Sequence, residues 1–145
     1  CYGLGLPLVA VNSLESMVGE FLNQGFDYII PLIDARRMEV YCAVFDGQSG
    51  EIVSETEAKI LDENSFQELN DKKILFIGDG CAKSKDILKL SNAEFEPDVF
   101  PSAKGLIKKA AEKFNTQSFE NVAYFEPFYL KDFQGVKKVD RVKKS

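Results

Sequence analysis

A chain of 145 residues that is 45% hydrophobic and 28% charged has the length and composition of one globular domain with a proper core. It contains no histidine, which excludes Ser-His-Asp and Cys-His catalysis and the His-based metal-hydrolase motifs, and leaves any acid–base work to Asp, Glu, Lys, Tyr or Cys. The net charge is −5, and the three cysteines (Cys1, Cys42 and Cys81) have no paired spacing, which argues against a disulfide framework and a zinc site and fits a reducing cytoplasm.

No apolar run approaches the roughly 18 residues of a membrane helix. The apolar start lacks the basic lead-in and cleavage pattern of a signal peptide. Cys1 to Leu6 reads as the end of a helix already under way, with Gly3 and Gly5 as stop signals, and Leu8 to Val11 as a short buried strand. The chain is therefore expected to be a piece of a longer protein. Residues 1–11 would end a preceding lobe and 12–135 would form one lobe. Residues 136–145 would be a mobile basic tail, with Lys137, Lys138, Arg141, Lys143 and Lys144 against Asp140. Outside that tail the chain is more acidic than its net charge, a poor surface for phosphate; the tail itself is open to RNA or an acidic partner.

Asn12 with Glu15 predicts a capping box, and Val18, Phe21 and Leu22 a helical stripe ending near Gly25. Three strands follow, Asp27–Ala35, Met38–Asp46 and Glu51–Leu61, joined by short turns into an antiparallel meander. Pro31 removes a ladder donor and predicts an edge or a bulge. Both faces of the second strand are apolar: Met38, Val40, Cys42 and Val44 on one, Glu39, Tyr41, Ala43 and Phe45 on the other. That predicts cover on both sides. Helix and strand then alternate. Ser65–Leu69 is a short helix with a Ser65/Glu68 capping box, Lys73–Ile77 a strand and Cys81–Leu90 a helix. Ala93–Val99 is a short strand. Ser102–Phe114 is a capped helix with Leu106, Ile107, Ala110, Ala111 and Phe114 as its apolar face. Val122–Leu130 is extended and aromatic. This order describes an α/β, ribonuclease-H-like lobe of the actin-like ATPase superfamily, with a mixed sheet.

Two constellations stand out. Asp34, Arg36, Arg37, Glu39 and Tyr41 surround a hairpin tip. Its two arginines either hold a carboxylate or phosphate bidentately or form local ion pairs pinning the turn, and Tyr41 is a packed cross-strand aromatic or an acid–base group. Gly78-Asp79-Gly80, between a strand and a helix, is a candidate anion-binding turn or simply a tight turn with Asp79 capping the helix. Cys81 at a helix start would favour a thiolate, whereas Cys42 reads as core. Asp46, Asp62, Asp79 and Asp132 sit at turns, and Asp27 and Asp34 only bracket the first strand, so the metal-pair carboxylates of a nuclease are not expected. Phe125, Phe128, Tyr129 and Phe133 read as core packing on the sheet or as a docking surface.

Leu6-Pro7-Leu8-Val9-Ala10-Val11-Asn12-Ser13-Leu14-Glu15, then Asp34-Ala35-Arg36-Arg37-Met38-Glu39-Val40-Tyr41, then Gly78-Asp79-Gly80 and Glu126-Pro127-Phe128-Tyr129-Leu130, occur in that order. The set resembles the C-terminal half of the TsaB/YeaZ family of tRNA threonylcarbamoyladenosine biosynthesis, with Met38 where the family pattern has Gly. The resemblance implies a cytoplasmic, non-catalytic scaffold with no cofactor in this lobe. Its partners would be a catalytic TsaD-like protein and an ATP-using TsaE-like protein, together modifying adenosine 37. A homodimer is a further candidate, tRNA would be met only through the complex, and no membrane is involved. The family's peptidase label finds no H-E-x-x-H here. Two other readings stay open: a nucleotide-binding lobe of an actin-like-fold kinase or ATPase using Gly78-Asp79-Gly80, and a packing or dimerisation module using the aromatic stretch.

Overall fold

The structure, a computed structural model, describes residues 1–130. The basic tail, Asp132 and Phe133 lie outside the described residues.

Strands β1 (Tyr28–Asp34), β2 (Glu39–Asp46), β3 (Ile52–Ile60), β4 (Ile74–Ile77) and β5 (Ala93–Glu96) form one sheet in the order β3-β2-β1-β4-β5. The first three are the antiparallel meander; β4 and β5 run parallel to β1 and to each other. β1, β2 and β4 are buried on both faces because their residues are apolar on both sides, whereas β3 and β5, at the sheet's edges, are largely exposed. Beneath one face, Ile30, Leu32, Val40, Cys42, Val44, Ile74 and Phe76 pack against Leu61, Phe66 and Leu88. The Phe76 ring lies between Phe66, edge-on at 5.4 Å, and Phe95, stacked at 5.0 Å. Over the other face, Ile29, Ala43, Phe45, Leu75 and Ile77 meet Leu14, Met17 and Val18 of α1 (Ser13–Val18).

The α-helices are α1, α2 (Cys81–Ser84) and α3 (Ala103–Asn115) among the described residues, and none is long and apolar enough to cross a membrane. Asn12 caps α1 by accepting from the Leu14 N–H at 2.8 Å, and Ser102 caps α3 by accepting from the Gly105 N–H at 3.1 Å; each such cap is worth about 1 kcal/mol. Glu15 does not return to the cap; its carboxylate meets Lys109 of α3 at 3.4 Å. α3 lies directly on α1, since a Cβ at Gly105 would sit 1.8 Å from the Ser16 carbonyl oxygen.

Several expectations are corrected. Pro31 lies on β1, the central strand, rather than at an edge. It pairs with Ile77 in the parallel ladder, while the β1–β2 register passes from Ile29↔Phe45 to Leu32↔Cys42 around the position that lacks an N–H. The register shifts occur instead between β2 and β3. α1 ends at Val18, and the chain turns through Gly25 without helix. Ser65 starts no helix: its hydroxyl donates to Asp62 Oδ1 at 2.9 Å and accepts from the Asp62 N–H at 3.0 Å, leaving one 3-10 turn at Gln67–Leu69. The expected helix to Leu90 shortens to α2. The start is a 3-10 turn at Tyr2–Leu4 closed by left-handed Gly5, and only Leu8 of the expected strand pairs, with Glu120. Val122–Leu130 contains no strand, and Tyr124, Phe128 and Tyr129 are exposed rather than packed on the sheet. The apolar face of α3 is only partly covered: Leu106 and Ala110 are half-buried, but Ile107 is 66% and Phe114 54% exposed.

Candidate functional site

The hairpin between β1 and β2 turns at Arg36 and Arg37, both left-handed, at φ 72° and 52°. That conformation costs on the order of 1 kcal/mol for each residue bearing a Cβ. Three local bonds close the turn: the Arg36 N–H donates to Asp34 Oδ1 at 2.8 Å, the Glu39 N–H to the Arg36 carbonyl at 3.2 Å, and the Ala35 N–H to the Glu39 carbonyl at 3.1 Å.

The parallel pairing of β1 with β4 carries the Gly78-Asp79-Gly80 turn to the same end of the sheet. The two constellations, 45 residues apart in sequence, become neighbours: the Asp34 N–H donates to Asp79 Oδ1 at 2.9 Å. Lys83 on α2 then reaches back under the tip. Its ammonium donates to Asp34 Oδ1 at 2.6 Å, to the Arg37 carbonyl at 3.0 Å and to the Glu39 carbonyl. All three of its protons are engaged. The Lys83 ammonium, then the Arg36 N–H, hold the Asp34 carboxyl below its usual range despite the opposing effect of burial.

Lys83 is the residue that sequence reasoning missed. A lysine on a short helix reads as a solvated cation. The signal was positional: with β1 and β4 adjacent and parallel, the helix after β4 begins beside the hairpin that ends β1.

The ion pair that pins the tip is Lys83–Asp34; the side chains of Arg36 and Arg37 are exposed and form no ion pair or hydrogen bond among the described residues. Asp79 does not cap α2, whose N-cap is Gly80; its carboxylate serves the hairpin instead. The Gly78 N–H donates to the Glu96 carbonyl at 2.9 Å, the Gly80 N–H to the Leu32 carbonyl at 3.0 Å, and the Cys81 N–H to the Gly78 carbonyl at 3.0 Å. These groups are committed within the chain rather than turned toward an anion. Glycine is required at 78 because φ is +109° and a Cβ would lie 2.4 Å from the Leu32 carbonyl oxygen.

Tyr41 is half-buried on the α1 side of the sheet. It lines a cleft of about 570 Å³ with Asn12, Leu14, Ile33, Lys113 and Phe125. The polar groups here are largely occupied: Asn12 Nδ2 donates to Thr56 Oγ1 at 3.1 Å, and the Lys113 ammonium to the Ala10 carbonyl at 2.8 Å. Cys42 and Cys81 are both buried, and burial pushes each thiol up to about 12. Cys81 is therefore a protonated core thiol, not the thiolate a helix start suggested. Among the described residues, no three His, Cys, Asp or Glu side chains gather to hold a metal ion.

No family model matches the sequence, and no curated protein does so either. Among solved structures, one described as an uncharacterized protein with similarity to peptidase YeaZ from Pseudomonas aeruginosa is similar with a TM-score of 0.71 at 21% identity. The match covers 90% of this chain and 62% of that one. YeaZ from Pseudomonas aeruginosa is similar with a TM-score of 0.66 at 20% identity, over 89% of this chain and 62% of that chain. The chain thus spans less than two thirds of the length of the structures it matches. The α/β fold with its five-stranded mixed sheet is the fold of YeaZ, as the order of sequence elements implied.

Proposed function

We propose that this chain is the ribonuclease-H-like second lobe of a TsaB/YeaZ-type scaffold subunit, which supports a TsaD-like catalytic protein and a TsaE-like ATPase in threonylcarbamoylation of tRNA adenosine 37 in the cytoplasm. The observation that carries the reading is the joining of its two ordered motifs. The Asp-Ala-Arg-Arg hairpin and the Gly-Asp-Gly turn form one bonded unit, through Asp34, Asp79 and Lys83, on a fold shared with YeaZ.

The side-chain chemistry favours support over catalysis. The Lys83 and Asp34 charges are spent on each other, the inner cysteines are protonated and buried, and the Ser84 hydroxyl is fully buried with its proton on the Gly80 carbonyl. A peptidase role, mentioned in the description of one similar structure, would need a nucleophile or metal-bound water that these residues do not supply.

The test is mass spectrometry of tRNA nucleosides after depletion of the intact protein, together with co-purification with its TsaD-like and TsaE-like partners. Loss of threonylcarbamoyladenosine and a stable complex are expected. An unchanged nucleoside level with no complex overturns the proposal. Calorimetric binding of ATP to the isolated protein, with no partner binding, would favour the kinase or ATPase lobe instead.

A further inference from the structure

We propose that the β1–β2 hairpin tip docks an acidic segment of a partner protein, with Arg36 and Arg37 taking its carboxylates and Met38 taking an apolar side chain beside them. This rests on the scaffold reading for the partner's identity and adds where, and through what chemistry, that partner is held.

The backbone at the tip is fixed in an unfavourable conformation by bonds from elements far apart in sequence. Lys83 spends all three protons beneath it, and Asp79 takes the Asp34 N–H. The outward product of that arrangement is a pair of adjacent guanidinium groups with no partner among the described residues. Left-handed backbone at consecutive residues bearing side chains is a costly way to make a turn, and such geometry concentrates where presentation matters. A tip that cannot sag loses little freedom when a ligand binds.

Beside the arginines the tip carries an exposed apolar side chain, Met38, which is 46% exposed. Ile60, 72% exposed, pairs with Glu39 and so belongs to the other face of the sheet from Met38, whose carbonyl accepts from the Leu61 N–H at 2.8 Å. Arginine beside an exposed methionine is a composition enriched at protein–protein interfaces rather than along a phosphate track.

Charge also separates protein from nucleic acid. Apart from its basic end, the chain is more acidic than the net −5 of the whole. A polyanion along this surface would meet repulsion beyond the two arginines, and Lys83, the cation beneath the tip, is already engaged. A short loop with one or two carboxylates fits within the patch, and guanidinium forks suit carboxylates bidentately.

The experiment is calorimetric titration of the intact protein with its TsaD-like partner, run beside a gel-shift titration with unmodified tRNA. Three variants are compared with the parent: Arg36→Glu with Arg37→Glu, Arg36→Lys with Arg37→Lys, and Ile60→Ser. The melting temperatures should stay within a degree or two of the parent, because these side chains contact little in the fold. The Glu pair is expected to weaken partner binding at least tenfold. The Lys pair should weaken it several-fold, since charge remains and the fork is lost; Ile60→Ser, on the other face of the sheet, should bind as the parent does. If the parent binds and the Glu pair binds equally well, the docking proposal is overturned and the scaffold reading stands. If the Glu pair loses tRNA but keeps the partner, the tip is a phosphate contact and the proposal is overturned in favour of RNA. A parent that binds no TsaD-like protein overturns both.

Discussion

Replacing Lys83 with Met should cut the bonds that anchor the hairpin tip while keeping the length and apolar stem of the side chain. The ammonium makes three charge-assisted bonds, and it is only 18% exposed, whereas its partner Asp34 is 49% exposed. Bonds to a charged group are worth about 1.5–3 kcal/mol each. The Asp34 part is screened by water and falls toward the 0–1 kcal/mol of a surface pair, and the two carbonyls can be partly rehydrated. A loss of about 2–3 kcal/mol at pH 7 follows, a drop in melting temperature of about 6–10 °C for a domain of this size.

The pH dependence separates the ionic part from the carbonyl part. The folded Asp34 carboxyl titrates below its usual 3.8, so its contribution is complete above about pH 4 and is lost as acid protonates it through the lowered value. The gap between parent and variant should therefore narrow as pH falls from 6 toward 2, leaving a residue due to the Arg37 and Glu39 carbonyls. Urea unfolding followed by circular dichroism at several pH values reads both. A variant as stable as the parent at pH 7, or a gap that widens in acid, would refute the account.

Gly105→Ala sets helix propensity against space. Propensity favours Ala by about 1 kcal/mol, but the added Cβ would stand 1.8 Å from the Ser16 carbonyl oxygen, a backbone atom that cannot swing away. A net loss of about 2 kcal/mol or more is expected in urea unfolding, and equal stability would sink the claim that α3 lies directly on α1. Gly19→Ala is the contrasting case. Its φ of −57° suits any residue and nothing lies within 4 Å of the new Cβ, so a gain of about 0.5 kcal/mol is expected from the same measurement. Asn12→Ala removes the α1 cap and its bond to Thr56, at a cost of about 1–2 kcal/mol; an unchanged midpoint would count against the cap. A thiol reagent at pH 8 should modify exposed Cys1 quickly and leave Cys42 and Cys81 protected until the chain unfolds; fast labelling of three thiols in the native state contradicts their burial.

What could be read ahead of the structure was what neighbouring residues decide. The meander from Tyr28 to Ile60, the two apolar faces of β2, and the Asn12 and Ser102 caps follow from alternation and local bonding, and each is present. The misses lie where distant residues decide. Pro31 argued for an edge, yet the ladder accommodates it centrally by dropping the pairing around its missing donor. The apolar side of α3 promised burial, yet with Gly105 set against α1 that side is only partly covered. At the tip, the motif residues were visible as a string. Their cohesion depends on Lys83 and Asp79, whose bonds to the hairpin appear only after β4 is laid beside β1.

The edges of the sheet bear on how this molecule meets others. On one side β3 is long, but its register against β2 slips between Cys42 and Val44 and again between Val44 and Phe45; on the other, β5 is only four residues. A slipped strand curls and a short one offers few free amides, so neither border templates a further strand well. Growth by backbone pairing is thereby discouraged at both borders. Recognition falls to side chains, where the sign of a charge or the shape of a methyl group can tell one partner from another.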